Sequence, residues 1–322
     1  MKKYDVVALG ELLIDFTDNG LSGQGNPVFE ANPGGAPCNV LAMLQKLGYR
    51  TAFIGKLGCD GFGKQLQTVL KETGICTEGL CWDEYVHTTL AVVHTLPGGD
   101  RDFSFYRNPG ADMMLTEEDL PLDMIADCRI FHFGTLSMTH EKIRQATLAA
   151  IQVAKENGAL ISFDPNLRPP LWDSLEDAEE QIHTGLQLCD ILKIADNEIE
   201  FMTGETDFDK GAAILQERYP NIKILNVTAG AEGSYSYSCG HRVFVPGFTL
   251  GGTIETTGAG DTFCASVLGF VLKNGVAELT EDQLAEMLRF ANAAAYLVTT
   301  KKGAIRSMPE KAQVEAILAA NP

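Results

Sequence analysis

Basic residues are scarce in this chain. Its 322 residues include 25 Lys and Arg against 43 Asp and Glu, which gives a net charge of -18. This excess of negative charge argues against a surface that binds nucleic acid or an anionic membrane. An anionic ligand would have to be held by a few basic side chains, by backbone amides or by a metal ion.

Signals of zinc sites, disulfides and membrane spans are also missing. The eight cysteines form no CxxC pair and the six histidines form no HExxH motif. Scattered cysteines of this kind favour reduced thiols over a disulfide framework. Asp5 and Glu11 interrupt the apolar start of the chain, and no segment approaches about 18 uninterrupted apolar residues. We therefore expect a cytoplasmic protein without a membrane span.

Two familiar phosphate-binding motifs are absent or incomplete. The first apolar strand is followed by a single glycine, so the chain lacks the GxGxxG fingerprint of dinucleotide-binding folds. The stretch GCDGFGKQ fits GxxxxGK, but Gln65 stands where a P-loop needs Ser or Thr for Mg²⁺. We therefore expect neither a dehydrogenase nor a P-loop enzyme.

What the chain does have is a series of continuous apolar runs joined by helical patterns. Such strands predict an α/β fold with a mainly parallel sheet covered by helices on both faces. The predicted strands are Asp5–Leu9, Thr51–Leu57, Arg129–Phe133, Ala159–Phe163, Ile191–Ile194 and Ile222–Val227.

Two regions break this rhythm, because they look extended and have no helix between their strands. They are Leu12–Glu30 and Thr88–Phe105, and the second contains a predicted turn at Pro97-Gly98-Gly99-Asp100. Together they predict a small sheet that acts as a lid over a ligand cleft. We expect a single domain over residues 1–322, with lid segments near 12–31 and 88–108.

The stretch IETTGAGDTF carries small residues and glycines directly before an aspartate and a long apolar run. One interpretation is a tight turn into a buried helix, with Thr257 as its N-cap. The other is an anion site, because uncovered amides at a helix N-terminus suit a phosphate group. This stretch by itself does not decide between them.

Three further stretches have the same two interpretations. In PGGAPCN, Asn39 is either a helix cap or a ligand-binding amide. In FDPNLRPPLW, Asp164, Asn166 and Arg168 follow a strand, where open α/β sheets bind ligands, although a salt bridge in a loop would also explain them. The glycines of VTAGAEGS could form only a hairpin turn.

Taken together, these stretches resemble the ribokinase-like (PfkB) family of sugar kinases, and within it the fructokinases. The resemblance covers nearly the whole chain, and FYRNPGAD with DPNLRPPLW is what points to fructokinases. It implies an ATP-dependent sugar kinase with Mg²⁺, most simply one that phosphorylates D-fructose at the 6-hydroxyl. The alternatives are another acceptor, such as ribose, 2-keto-3-deoxygluconate or a nucleoside, and a catalytically silent binding protein.

The resemblance also implies roles for individual residues. Asp261 would be the general base, with an anion hole formed by the amides of Gly258, Ala259 and Gly260, and Arg168 would lie near the transferred phosphate. The positions that match sugar-binding residues are Asp15, Gly34, Gly35, Asn39, Phe105, Arg107 and Asn166. The positions on the nucleotide side are Lys193, Thr228, Gly230, Gly233 and Asn292.

The metal positions include the chain's main departures from the family pattern. Glu198 matches the glutamate of an NxxE motif that organises Mg²⁺ through water, but the asparagine of that motif falls on Ala195. A K⁺ site is implied at Glu255, Thr257, Gly303 and Ser307, although Glu255 replaces the usual aspartate. A homodimer through the lid sheet is a further expectation.

Overall fold

The computed structural model describes residues 2–95 and 101–321, with side chains left out at 94, 95 and 101–103. The turn predicted at Pro97–Asp100 lies outside the described residues. The described strands are β1 (Tyr4–Leu9), β2 (Leu13–Leu21), β3 (Pro27–Gly34), β4 (Thr51–Gly58), β5 (Cys76–Asp83), β6 (Leu90–Thr95), β7 (Arg101–Tyr106), β8 (Cys128–Gly134), β9 (Leu160–Asp164), β10 (Ile191–Ala195), β11 (Ile224–Thr228), β12 (Gly233–Ser238) and β13 (His241–Pro246).

The larger sheet has the order β13-β12-β11-β10-β9-β8-β1-β4-β5. All its pairings are parallel except those of β12, which is antiparallel to β11 and to β13. This confirms the mainly parallel sheet. The VTAGAEGS stretch joins β11 to β12, so it does form the turn between two antiparallel strands.

Helices connect the parallel strands, and two apolar clusters of buried side chains fill the space between helices and sheet. No helix among the described residues is both long enough and apolar enough to cross a bilayer. The helices are α1 (Ala36–Lys46), α2 (Gly61–Thr73), α3 (Leu122–Ala126), α4 (Glu141–Glu156), α5 (Leu175–Leu188), α6 (Asp196–Thr203), α7 (Phe208–Arg218), α8 (Ala259–Asn274), α9 (Glu281–Thr299) and α10 (Lys311–Ala320).

A second sheet is built from the two segments that lack helices, in the order β3-β2-β6-β7. Strand β2 is antiparallel to β3 and parallel to β6, and β6 is antiparallel to β7. The segments predicted to form a small separate sheet therefore do so. Because β2 follows β1 after only a short connection, the lid sheet starts from the carboxyl end of a central strand of the larger sheet.

Candidate active site

A cavity of about 520 Å³ lies at the carboxyl ends of the central parallel strands, between the larger sheet and the lid sheet. This is the position at which open α/β sheets bind ligands. Many of the residues singled out in the sequence meet here although they come from distant parts of the chain. Those that line the cavity are Asp15, Gly35, Asn39, Phe105, Asn166, Arg168, Lys193, Thr257, Gly258, Gly260 and Asp261.

The start of α8 forms one wall of this cavity. Its N-cap is Gly258, in the left-handed region at φ 79°, and no side chain caps the helix. The interpretation of Thr257 as the N-cap is therefore wrong, because the turn runs one residue further before the helix begins. Ala259 N donates to Thr256 O and is used within the turn. The amides of Gly258 and Gly260 have no acceptor in the part of the chain that the structure describes.

Asp261 lies in the first turn of α8 and is 8% exposed. Its Oδ2 accepts a hydrogen bond from Asn39 Nδ2 at 2.7 Å. Burial raises the pKa of Asp261 to about 6, and the nearby Asp164 carboxylate adds to the rise, while the Asn39 hydrogen bond and the charges of Lys193 and Arg168 oppose it. A buried carboxylate with a pKa near neutrality suits a general base.

Asn39 lies inside α1 and does not cap it. The helix starts three residues earlier, at Ala36, because Pro37 is tolerated in a first turn where an amide hydrogen is not needed. Asn39 thus points its amide at Asp261, and its Oδ1 has no partner among the described residues. This geometry favours the ligand-binding interpretation of PGGAPCN.

A buried ion pair lies behind the α8 turn. Lys193 Nζ is 3.1 Å from Asp164 Oδ1, and both side chains are almost fully enclosed. A Cβ added at Gly260 would lie 3.1 Å from Lys193 Nζ, so the ammonium group sits directly beneath the turn. Lys193, predicted to lie on the nucleotide side, is therefore next to the proposed base.

Arg168 and Asn166 come from the loop after β9, and both line the cavity. Asn166 has φ 46°, a left-handed conformation that asparagine tolerates better than most residues. Arg168 Nη1 donates to Leu167 O at 3.1 Å. The Arg168 guanidinium supplies positive charge to a cavity that Asp15 and Asp261 make acidic.

Two glycines allow close packing where β3 leads into α1. A Cβ at Gly34 would lie 2.1 Å from Asp15 Oδ2, and one at Gly35 would lie 2.4 Å from Glu11 O. Gly35 also has φ 123°, which favours glycine. Any larger residue at either position would push the Asp15 or Glu11 segment away from the cavity.

Of the positions predicted to bind the sugar, Gly34 and Arg107 do not line this cavity, and Arg107 has other contacts. It is buried, and its guanidinium is bound to Asp112, to Thr139 and to the carbonyl of Leu136. It faces an adjacent cavity of about 950 Å³ under the lid, which Phe105 also lines. Arg107 thus ties down the base of the lid segment that carries Phe105.

The other nucleotide-side positions lie away from the cavity. Thr228 ends β11, and Gly230 and Gly233 shape the turn into β12, where a Cβ at Gly233 would lie 2.2 Å from Val245 O. Asn292 is buried in α9 and accepts from Ser234 Oγ while donating to two carbonyls of β13. These residues form a second group, along the antiparallel edge of the sheet.

Of the two glutamates among the predicted metal positions, Glu198 is the more deeply buried, at 3% exposed against 8% for Glu255. Its two carboxylate oxygens accept from the amides of Leu167 and Ala195, and burial raises its pKa. Glu255 Oε2 accepts from Gly303 N at 3.1 Å, and Ser307 lies beside Gly303. Over residues 2–95 and 101–321, no three His, Cys, Asp or Glu side chains cluster so as to hold a metal ion by themselves.

The cavity lining also contains six residues that were not predicted as site residues, which are Glu11, Leu13, Ala36, Leu136, Asn197 and Thr256. Glu11 directly follows Gly10 at the end of β1, and Asn197 follows β10. Both stand just past the carboxyl end of a parallel strand, which is the same signal that drew attention to Asn166 and Arg168. Glu11 was treated only as an interruption of an apolar run.

Comparisons with known proteins agree with this geometry. The model of the family described as "pfkB family carbohydrate kinase" matches residues 3–311. A probable fructokinase-4 of Arabidopsis thaliana is 42% identical over 318 residues, which cover 98% of this chain and 97% of the relative.

Solved structures show the same similarity. A fructokinase with bound ATP from Xylella fastidiosa has a TM-score of 0.90 and 30% identity, covering 99% of each chain. A fructokinase double mutant from Vibrio cholerae O395, in fructose, ADP and potassium ion bound form, has a TM-score of 0.86 and 28% identity, again covering 99% of each chain.

Proposed function

The chain belongs to the pfkB family of carbohydrate kinases, and we propose that it is a fructokinase that transfers the γ-phosphoryl group of ATP to the 6-hydroxyl of D-fructose. The observation that carries this proposal is the pairing of a buried Asp261 with the uncapped start of α8 in one cavity. The similarity to fructokinases along nearly the whole chain supports the sugar.

In the proposed reaction, Asp261 accepts the proton of the 6-hydroxyl as that oxygen forms a bond to the γ-phosphorus. The bond from the γ-phosphorus to the bridging oxygen breaks, and ADP leaves with the electron pair. Charge on the equatorial oxygens is met by the α8 amides and by Arg168 and Lys193. Positioning and charge stabilisation of this kind account for most of the catalysis of phosphoryl transfer.

Asn39, Asp15, Gly35 and Asn166 line the cavity, and we assign them to orienting the acceptor, with Gly34 packed closely against Asp15. Phe105 lies on the lid and would close over the sugar. Closure excludes water, which otherwise competes with fructose as the phosphoryl acceptor. Arg107 contributes by holding the lid base, as its three protein partners indicate.

The residues present fit a Mg²⁺ ion that is held mainly by the phosphates and by water. The cavity region offers few carboxylates to a metal, but Asp164 Oδ2 is buried without a partner among the described residues, and Glu198 lies close by. Mg²⁺ usually keeps several waters and uses one or two carboxylates. When bound, it would neutralise charge on the β- and γ-phosphates.

A monovalent cation is proposed near the loop before α8. Glu255 and Ser307 lie close to the Gly303 amide, and Thr257 is on the same loop as Glu255. Their oxygens are hard ligands of the kind that suit K⁺, and the V. cholerae relative is described with a potassium ion. Because Glu255 already accepts from Gly303 N, any cation there would share that carboxylate with the backbone.

Two further proposals concern the setting of the enzyme. The eight cysteines, all within the described residues, form no disulfide, which supports a reducing compartment such as the cytoplasm. The lid sheet has exposed aromatic residues on both of its edge strands, Phe29 on β3 and Tyr106 on β7, so we propose that it also pairs with a second copy to form a homodimer.

The test is an ADP-release assay with MgATP across fructose, ribose, glucose, mannose, 2-keto-3-deoxygluconate and adenosine, followed by identification of the product. We expect turnover on fructose to give fructose 6-phosphate and to exceed that on every other acceptor. Turnover on another acceptor instead would support a sugar kinase but contradict fructose as its substrate. ADP release that does not depend on any acceptor would contradict both.

A further inference from the structure

Helix α1 begins without a side-chain cap of its own. Its N-cap, Gly35, has no side chain, and Pro37 has no amide hydrogen. The amide of Ala36 donates instead to Glu11 Oε1 at 2.8 Å, across a separation of 25 residues. A carboxylate at this place does for α1 what an N-cap side chain does for other helices.

We propose that Glu11 is a positioning residue, which anchors the first turn of α1 so that Asn39 meets the catalytic base Asp261. This inference rests on the proposed function, because it assigns Asp261 the role of base. Asn39 lies three residues after Ala36, and its amide donates to Asp261 at 2.7 Å. A shift of the first turn would therefore move Asn39 and disturb its hydrogen bond to the base.

The contacts around Glu11 make the coupling rigid. A Cβ at Gly35 would lie 2.4 Å from Glu11 O, and a Cβ at Gly10 would lie 2.7 Å from Pro37 Cγ. The backbone of Gly35 thus packs against that of Glu11, and the ring of Pro37 packs against Gly10. The Glu11 side chain adds a hydrogen bond that joins the residues just after β1 to the first amide of the helix.

The burial of Glu11 supports a specific role. It is 3% exposed, and burial raises its pKa to about 7, an effect that the nearby Arg107 opposes and Asp112 reinforces. Enclosing a carboxyl group is costly, so its contact with Ala36 must offset that cost. The protonated acid keeps a carbonyl oxygen that can accept the same hydrogen bond, so glutamine should replace it well.

The experiment is a double-mutant cycle on the full chain with a matched pair of replacements. Glu11→Met keeps the length and apolar stem of the side chain but removes the acceptor, whereas Glu11→Gln keeps an acceptor. Each is combined with Asn39→Ala, and kcat, both KM values and the pH dependence of kcat are measured on fructose and MgATP. Glu11→Ala is made alongside, in case methionine overpacks the site.

We expect Glu11→Met to lower kcat by about 10- to 100-fold, since a small misplacement of reacting groups has effects of that size, with KM for ATP changed less than about threefold. Glu11→Gln should recover most of this loss. In the Asn39→Ala background, Glu11→Met should cost less than about threefold more. The acid limb of kcat should move to higher pH in both Glu11→Met and Asn39→Ala, because the Asn39 hydrogen bond lowers the pKa of Asp261.

Independent losses that multiply in the double variant would overturn the proposal, as would a glutamine variant no better than methionine. Amide hydrogen exchange supplies a readout that does not need turnover: Glu11→Met, but not Glu11→Gln, should speed exchange in the first turn of α1. If Glu11→Met speeds this exchange but the wild type does not phosphorylate fructose, the role of Glu11 in anchoring α1 is supported and the proposed function is wrong. Unchanged exchange in folded Glu11→Met and Glu11→Ala removes the anchor whichever acceptor is used.

Discussion

Two helices in this protein begin at glycine-containing turns, and the two turns differ in whether a side chain caps the helix. At the start of α2, which carries the P-loop look-alike, Asp60 Oδ1 accepts from Gly63 N at 2.8 Å and Oδ2 accepts from Thr88 N. At the start of α8, the N-cap is Gly258 and no side chain accepts from the first turn. The acid at α8, Asp261, lies in the first turn and faces the cavity.

The difference lies in whether a side chain already satisfies the amides of the helix start, because amides that are already bonded cannot also bind an anion. The Asp60 carboxylate fills the place that a phosphate would take at α2 and brings a negative charge there. The pKa values of Asp60 and Asp261 are also shifted in opposite directions from the usual value of an aspartate. Hydrogen bonds keep the pKa of Asp60 low despite partial burial, whereas burial raises the pKa of Asp261 to about 6.

The largest expected effect comes from removing the acid of the α8 turn. Asp261→Asn should lower kcat by about 10²- to 10⁴-fold, the usual contribution of a positioned base, with a smaller change in KM for the sugar. Initial rates on fructose with saturating MgATP measure it. Retention of near wild-type kcat would exclude Asp261 as the base.

Asp261 should also determine how kcat and stability depend on pH. Because the base must be ionised, kcat should fall about tenfold per pH unit below a pH near 6. A raised pKa also means that Asp261 opposes folding when ionised, so stability falls as pH rises from the unfolded pKa through about 6. Asp261→Asn should therefore be no less stable than wild type at pH 8, which denaturant unfolding can check.

A smaller loss is expected from filling the α8 turn. Gly258 has φ 79°, and a Cβ there would lie 2.9 Å from the Cβ of Ala304. We expect Gly258→Ala to lower kcat by roughly tenfold through a displaced turn, and to destabilise the protein by about 1–2 kcal/mol. Gly61→Ala, at the α2 turn, meets no atom within 4 Å and serves as the control. Equal effects of the two substitutions on kcat would remove the distinction between the turns.

The smallest effect on turnover is expected at Asp60. Asp60→Ala should destabilise the protein by about 1–2 kcal/mol, as the loss of a helix cap does, while kcat stays within about twofold. Since its pKa is lowered in the folded state, this contribution is present above the unfolded pKa and is lost as pH falls through the folded value. The free energy of unfolding should thus differ less between wild type and variant at pH 3 than at pH 7. A large loss of kcat in a folded variant would instead place the α2 turn in the active site.

Much of the fold was predictable because its signals are local. Continuous apolar runs located the six predicted parallel strands, and the absence of helices in two segments identified the lid sheet. The start of α1 was placed too late, at Asn39, since a proline in the first turn looks like a break in the sequence. Strands β5, β12 and β13 were not predicted, because none has a continuous apolar run: β12 (GSYSYS) is rich in serine and tyrosine, and polar residues interrupt the apolar ones in β5 (CTEGLCWD) and β13 (HRVFVP).

By itself, the sequence determined six of the parallel strands, the small residues of the α8 turn and the family to which the chain belongs. These depend on periodicity, turn chemistry and short motifs, which act over a few residues. Only the tertiary structure decided that Asn39 meets Asp261 across 222 residues and that Glu11 anchors the amide of Ala36. It also decided that Asp60 caps its helix while the α8 turn stays uncovered, because such contacts, and the burial that shifts the pKa of a carboxyl group, arise only when distant segments pack together.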